Sequence, residues 1–190
     1  CTMNKDAFKK LGIVLNENIS TQELLAEDFN GENYGLSKNQ TDKIRALRDI
    51  VTEYNRTIPS NGRLSISNPE AVAEVLRPVY KGLKHEECWA LFLNRANRII
   101  KKEMMSSGGL DSTIFDVKTI VRKALLYSAS AVIISHNHPS GSANPSSADI
   151  KQTEALYKAL RYMEIHLLDH VIISEDSYYS VNDQELHNFN

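Results

Sequence analysis

The sequence predicts an α/β protein: a mixed β-sheet flanked by helices and preceded by a small helical N-terminal segment. Three observations carry that expectation. Stretches with the period of two that marks a strand fall at 87–93 (ECWALFL), 98–105 (RIIKKEMM), 131–135 and 165–173 (IHLLDHVII). Stretches with helical spacing lie between them, at 118–128 and from Ser146 or Ser147 to Met163. Residues 4–56 carry helical patterns with no strand among them. Strands interleaved with helices indicate a layered α/β domain.

In chain order, Ser20-Thr21-Gln22-Glu23 has the S-x-x-E form of a capping box and opens a short helix through Asp28. Asn30-Gly31 and Gly35 punctuate a turn. A longer helix from Gln40 to Asn55 places Ile44, Leu47, Ile50, Val51 and Tyr54 at helical spacing. Residues 57–67 (TIPSNGRLSIS) are turn-rich and read as a linker, dividing a helical extension at 1–67 from a domain at 68–190. Asn68-Pro69 is an N-cap followed by proline at the first helical position, launching a helix to Tyr80. Asn94-Arg95-Ala96-Asn97 joins the first two strands as a hairpin, and Ser106-Ser107-Gly108-Gly109 ends the second. A short strand near Tyr178–Val181 and a last helical turn complete the pattern.

At 190 residues and 42% hydrophobic, the chain can bury one domain core with an extension beside it. A formal net charge of −2 exerts no global pull on nucleic acid or anionic membrane. The two cysteines, Cys1 and Cys88, form no C-x-x-C and no disulfide framework, the usage of a reducing compartment. No apolar run reaches the length of a membrane span, and residues 1–6 lack the apolar stretch of a signal peptide. A cytoplasmic location is expected.

The stretch with the most chemistry is Ser135-His136-Asn137-His138-Pro139 through Asp149. Histidines at i and i+2 on the end of a strand point the same way. The Gly/Pro/Ser-rich loop then lets the chain fold back so that Asp149 completes the set. Two imidazoles and a carboxylate with an open fourth position are the arrangement of a catalytic zinc. Each part also has a plainer reading. A His-x-His pair occurs as hydrogen-bonded surface histidines, and Asp149 suits a capping box with Ser146. Pro139 and Pro145 stiffening the loop, and the strand feeding it, favour a ligand set. The zinc helix motif H-E-x-x-H is absent, since Trp89 stands where His85-Glu86 would need its second histidine.

His136-x-His138-Pro139 with Pro145-Ser146-x-x-Asp149 resembles the metal motif of the JAB/MPN (JAMM) metalloprotease fold, a cytidine deaminase-like architecture, and its bacterial RadC-like branch most of all. The resemblance runs from His85 to Val181 and includes His85-Glu86, Leu91-Phe92-Leu93-Asn94 and Leu168-Asp169-His170. RadC-like proteins carry an N-terminal helix-hairpin-helix segment. Here Gly35-Leu36-Ser37 stands where a Gly-x-Gly turn is expected, so 1–67 reads as a degenerate version.

The resemblance implies one Zn2+ per chain on His136, His138 and Asp149, with a water in the fourth position acting as nucleophile. It implies Glu86 as general base and Ser146 as the serine that steadies the oxyanion. Strand alternation puts Glu86 and Glu87 on opposite faces, and periodicity alone leaves open which faces the metal. The small Cys88 and Ala90 on Glu86's side, against Trp89, Leu91 and Leu93 on the other, favour Glu86.

The function expected is a zinc-dependent hydrolase cleaving a peptide or isopeptide-like amide in a peptide or protein substrate. The alternative is a non-enzymatic DNA repair module of the RadC type with a structural or vestigial metal site. Near-neutral charge makes any duplex DNA binding weak. Asp169-His170 reads as a satisfied structural pair with a second-shell contact as the other possibility. Lys118, Arg122 and Lys123 read as a solvated helix face.

Overall fold

Ser20 opens its helix as the capping box requires. The Glu23 N–H donates to Ser20 Oγ at 3.1 Å, and the Ser20 N–H donates to Glu23 Oε2 at 2.8 Å. The computed structural model describes residues 5–15, 19–57, 64–108 and 115–189. Its contacts form two units, one from Cys1–Ile58 with Lys81–Lys84 and the other from Pro59–Tyr80 with His85–Asn190. The heart of the expected linker, 58–63, lies outside the described residues.

The first unit holds α1 (Lys5–Lys10), α2 (Thr21–Leu24), a 3₁₀ turn (Gly31–Tyr34) and α3 (Lys38–Thr57). α2 stops after one turn instead of reaching Asp28, because the Glu27 N–H donates to Gly82 O rather than back along a helix. Gly35 ends the 3₁₀ turn at φ 67, where a Cβ is strained. Ile13, Ile19, Leu24, Phe29, Leu36 and Ile44 make the core. The apolar stripe expected along α3 is only half used. Leu47 packs against that core, while Ile50, Val51 and Tyr54 are exposed.

The second unit contains α4 (Pro69–Tyr80), β1 (Glu87–Leu93), β2 (Ile99–Ser107), α5 (Val117–Leu126), β3 (Ala131–Asn137), α6 (Ser147–Tyr162), β4 (His166–Ile173), β5 (Ser177–Ser180) and β6 (Glu185–Asn188). They form one mixed sheet in the order β2-β1-β3-β4-β5-β6. β3 runs antiparallel to β1 and parallel to β4. Two expectations are corrected. β3 continues two residues past Ser135 and takes in His136. The last element is a strand, not a helical turn: residues 181–184 make a tight turn, Gln184 adopts φ 58, and Glu185 pairs with Ser180.

Alternation along β1 divides the packing. Cys88, Ala90 and Phe92 cluster with Val132 and Ile134 of β3, Ile120 and Ala124 of α5, and Leu156 and Leu160 of α6. Glu87, Trp89, Leu91 and Leu93 face the other way, toward the side where Tyr80 of α4 lies by Ser135 and Trp89. The sheet is thus sandwiched between layers of helix.

Asp169 ties β4 to the β5 hairpin. Its Oδ2 accepts from Ser180 Oγ at 2.8 Å and its Oδ1 accepts from the Asn182 N–H at 3.1 Å. Burial raises its carboxyl above the usual range, and these bonds pull the other way.

Phe92 is fully buried, with its ring edge-on to Tyr127 at 5.1 Å. Phe92→Ala is expected to cost about 3–5 kcal/mol of unfolding free energy, read from a urea transition whose slope is unchanged.

Candidate metal centre

The backbone pairing of β1 with β3 sets Cys88 opposite His136, at the end of β3 where the chain turns into the loop before α6. Because β3 extends through 137, His136 is held by the sheet on both sides, while His138 lies one residue beyond it. The loop returns the chain to Ser146, which caps α6. The Asp149 N–H donates to Ser146 Oγ at 3.1 Å, and the Ser146 N–H donates to Asp149 Oδ2 at 2.6 Å. His136, His138 and Asp149 come together: one ligand atom from each lies within 4.8 Å of the others. His136 Nε2 is 2.9 Å from His138 Nε2 and 3.5 Å from Asp149 Oδ1, and His138 Nε2 is 3.9 Å from Asp149 Oδ2.

The donor set fits a divalent cation. Capping uses Asp149 Oδ2 and leaves Oδ1 buried with no hydrogen-bond partner. His138 Nδ1 lies 2.7 Å from Ser142 O, a carbonyl that can only accept, so its proton sits on Nδ1 and the Nε2 lone pair is bare. Burial holds the imidazole of His136 well below its usual pKa; the Asp149 charge opposes this and His138 reinforces it. His170, whose Nε2 lies 2.8 Å from His136 Nδ1, is also pushed down, first by burial and then by the two neighbouring histidines. Neutral imidazoles beside an unpartnered carboxylate oxygen are what a metal requires of its ligands. The capping reading of Asp149 is thus met by one oxygen, and the other is the one that the ligand reading needs.

The two adjacent glutamates part ways. Glu86 is exposed and precedes β1, two residues before Cys88, the partner of His136. Glu87 is buried on the opposite face, where Oε2 accepts from Trp89 Nε1 at 2.9 Å and Oε1 lies 3.3 Å from His85 Nε2. Asn137, the residue between the two histidines, grips the backbone on either side of Glu86. Its Oδ1 accepts from the Glu87 N–H at 2.7 Å, and its Nδ2 donates to His85 O at 2.9 Å. The sequence reading passes over this asparagine. It also passes over Thr153, whose Oγ1 is 2.6 Å from His170 Nδ1 and whose one signal is its i+4 spacing from Asp149. Among the basic residues of α5, Lys123 pairs with Glu103, which also accepts from Tyr127 Oη at 2.7 Å.

A family model described as RadC-like JAB domain matches residues 66–186. A UPF0758 protein of Flavobacterium johnsoniae is 40% identical over 119 residues, covering 63% of this chain and 52% of that protein. One of Porphyromonas gingivalis is 40% identical over 138 residues, 70% of this chain and 61% of its own. One of Methanosarcina mazei is 33% identical over 150 residues, 79% and 65%. The chain spans between 52% and 65% of the length of these curated relatives. Among the described residues no helix is long and apolar enough to cross a membrane.

One zinc per chain is expected on elemental analysis of protein purified without chelator or a nickel column. His138→Ala should release it while leaving the fold largely intact, its urea transition matching that of zinc-free wild type, since His138 lies outside the packed core. Wild-type protein that stays metal-free after incubation with zinc would sink this assignment.

Proposed function

The chain belongs to the RadC-like JAB family, and from that premise we propose that it is a zinc-dependent hydrolase of the JAMM type, cleaving a peptide or isopeptide-like amide. The observation that carries the reading is the buried Asp149 Oδ1, unpartnered and 3.5 Å from His136 Nε2, within a set of three protein ligands. A structural zinc is normally closed by four protein ligands, and three leave a position for chemistry. His136, His138 and Asp149 would hold the ion. Zinc supplies a Lewis acid that polarises the scissile carbonyl and brings the pKa of water near neutrality.

Glu86 is the general base. Its carboxylate takes the proton of the attacking water and returns it to the leaving amine, whose expulsion as an anion is otherwise prohibitive. Exposure suits a group that must meet substrate, and the Asn137 clamp on both flanking peptides limits its backbone freedom. Ser146 donates to the oxyanion. Its Oγ already accepts the Asp149 N–H, which leaves the hydroxyl proton to give. Glu87 serves the fold, because its carboxylate is committed to Trp89 and His85.

Glu86→Gln is expected to keep zinc, since glutamate is not a ligand, and to lose turnover of an amide found by screening peptides and isopeptide-linked conjugates by at least about 100-fold. Glu87→Gln keeps an oxygen for Trp89 and should retain most turnover while losing about 1–3 kcal/mol of stability. The opposite pattern in the two variants would reverse the assignment.

A further inference from the structure

A chain of hydrogen bonds runs from one metal ligand to another through residues that touch no metal. Thr153 Oγ1 lies 2.7 Å from Asp149 O, one turn back along α6. A carbonyl oxygen only accepts, so the hydroxyl gives it its single proton. The same Oγ1 lies 2.6 Å from His170 Nδ1 and, with its proton spent, accepts one from that nitrogen. A neutral His170 with its proton on Nδ1 has a bare Nε2. That Nε2 lies 2.8 Å from His136 Nδ1, which must then carry the proton. His136 Nε2 is left bare, 2.9 Å from a His138 Nε2 that is bare too when His138 gives its proton to Ser142 O. The two lone pairs thus share no hydrogen and face one another as a pair that a cation, not a hydrogen bond, satisfies.

We infer that Thr153 and His170 are positioning residues that set the proton order of His136, so that its Nε2 is ready for a metal before the metal arrives. The inference rests on the metal site proposed above. The hydroxyl sets the direction of the whole chain. In the reverse order, with the proton on His170 Nε2, His136 Nδ1 becomes the acceptor and its own proton moves to Nε2, in the ligand position. A metal must then displace it. The chain also fixes geometry: it starts on the backbone of Asp149 and ends on the ring of His136, so the helix and the strand that supply these two ligands are held to one another by three bonds.

The test is Thr153→Val, which keeps the branched shape and removes the hydroxyl, beside Thr153→Ser, which keeps the hydroxyl. Zinc affinity is measured in the full chain by competition with a chelating dye. Outer-shell partners of metal histidines are typically worth 10–100-fold in affinity. Thr153→Val is therefore expected to weaken zinc by about 10-fold or more, and Thr153→Ser by less than about 3-fold. The accompanying signature is spectroscopic. Long-range nitrogen-15 spectra of zinc-free wild type should show His136 and His170 protonated at Nδ1, and those of Thr153→Val should show both at Nε2. A purely structural hydroxyl moves neither reading. Wild-type spectra with His136 protonated at Nε2 overturn the inference without recourse to any variant. Wild-type affinity in Thr153→Val overturns it while leaving the hydrolase reading standing, and wild type that binds no zinc overturns both.

Discussion

Parallel pairing of β3 with β4 is the constraint from which the site follows. Two parallel neighbours cannot be joined by a tight turn, so the chain must leave the end of β3, cross over the sheet and come back. α6 is that crossover. Its N-terminus therefore lies beyond the carboxyl end of β3, the place where open α/β sheets gather their ligands. His136 is the last inward-facing residue of the strand, and Asp149 belongs to the first turn of the helix. The loop between them needs only to be stiff and to expose His138.

The first turn of α6 serves two ends with one carboxylate. A capping box is worth about 0.5–2 kcal/mol to a helix. Burying a charge with incomplete compensation costs several kcal/mol. With Oδ1 unpartnered, the cap alone does not offset the burial of Asp149. A cation bound between Oδ1 and the two imidazoles would do so, and would couple metal binding to the stability of this end of the sheet. The glutamate pair shows the complementary economy. One residue of offset separates an exposed carboxylate just ahead of β1 from a buried one that braces Trp89 and His85.

Much of this is legible in the residues. The Ser20 cap, the Pro69 helix start and the strand at 87–93 announce themselves within a few positions, because each is a local matter of capping or period. His136, His138 and Asp149 are legible because loop chemistry and spacing coincide. What escapes is whatever depends on register. Period two says that Glu86 and Glu87 part, but only the pairing of Cys88 with His136 shows which face of β1 the histidine shares, the one opposite Glu87. His170 stands 34 positions from His136, and nothing local to either announces their contact. It follows from the alignment of Ile134 with His170 across β3 and β4. The apolar stripe of α3 misleads for a related reason. Helical spacing shows which residues share a face, and the size of the neighbouring core decides how far along the helix that face is covered.

The three candidate ligands differ in what holds them, and the difference orients the site. His136 and Asp149 have side chains 0% and 1% exposed, anchored in the sheet and the helix cap. His138 is 14% exposed and is held by the loop's own Ser142 carbonyl. The buried neighbour Ala143 pins that loop from beneath. Glu86 and Ser146, the proposed base and oxyanion donor, are exposed as well. The core side thus carries the His170 and Thr153 contacts, and exposure falls on the side of His138. A hydrolase of the proposed kind would thereby present its base and oxyanion donor to an amide arriving from solvent while keeping its metal ligands anchored, which is a reason to divide the residues this way.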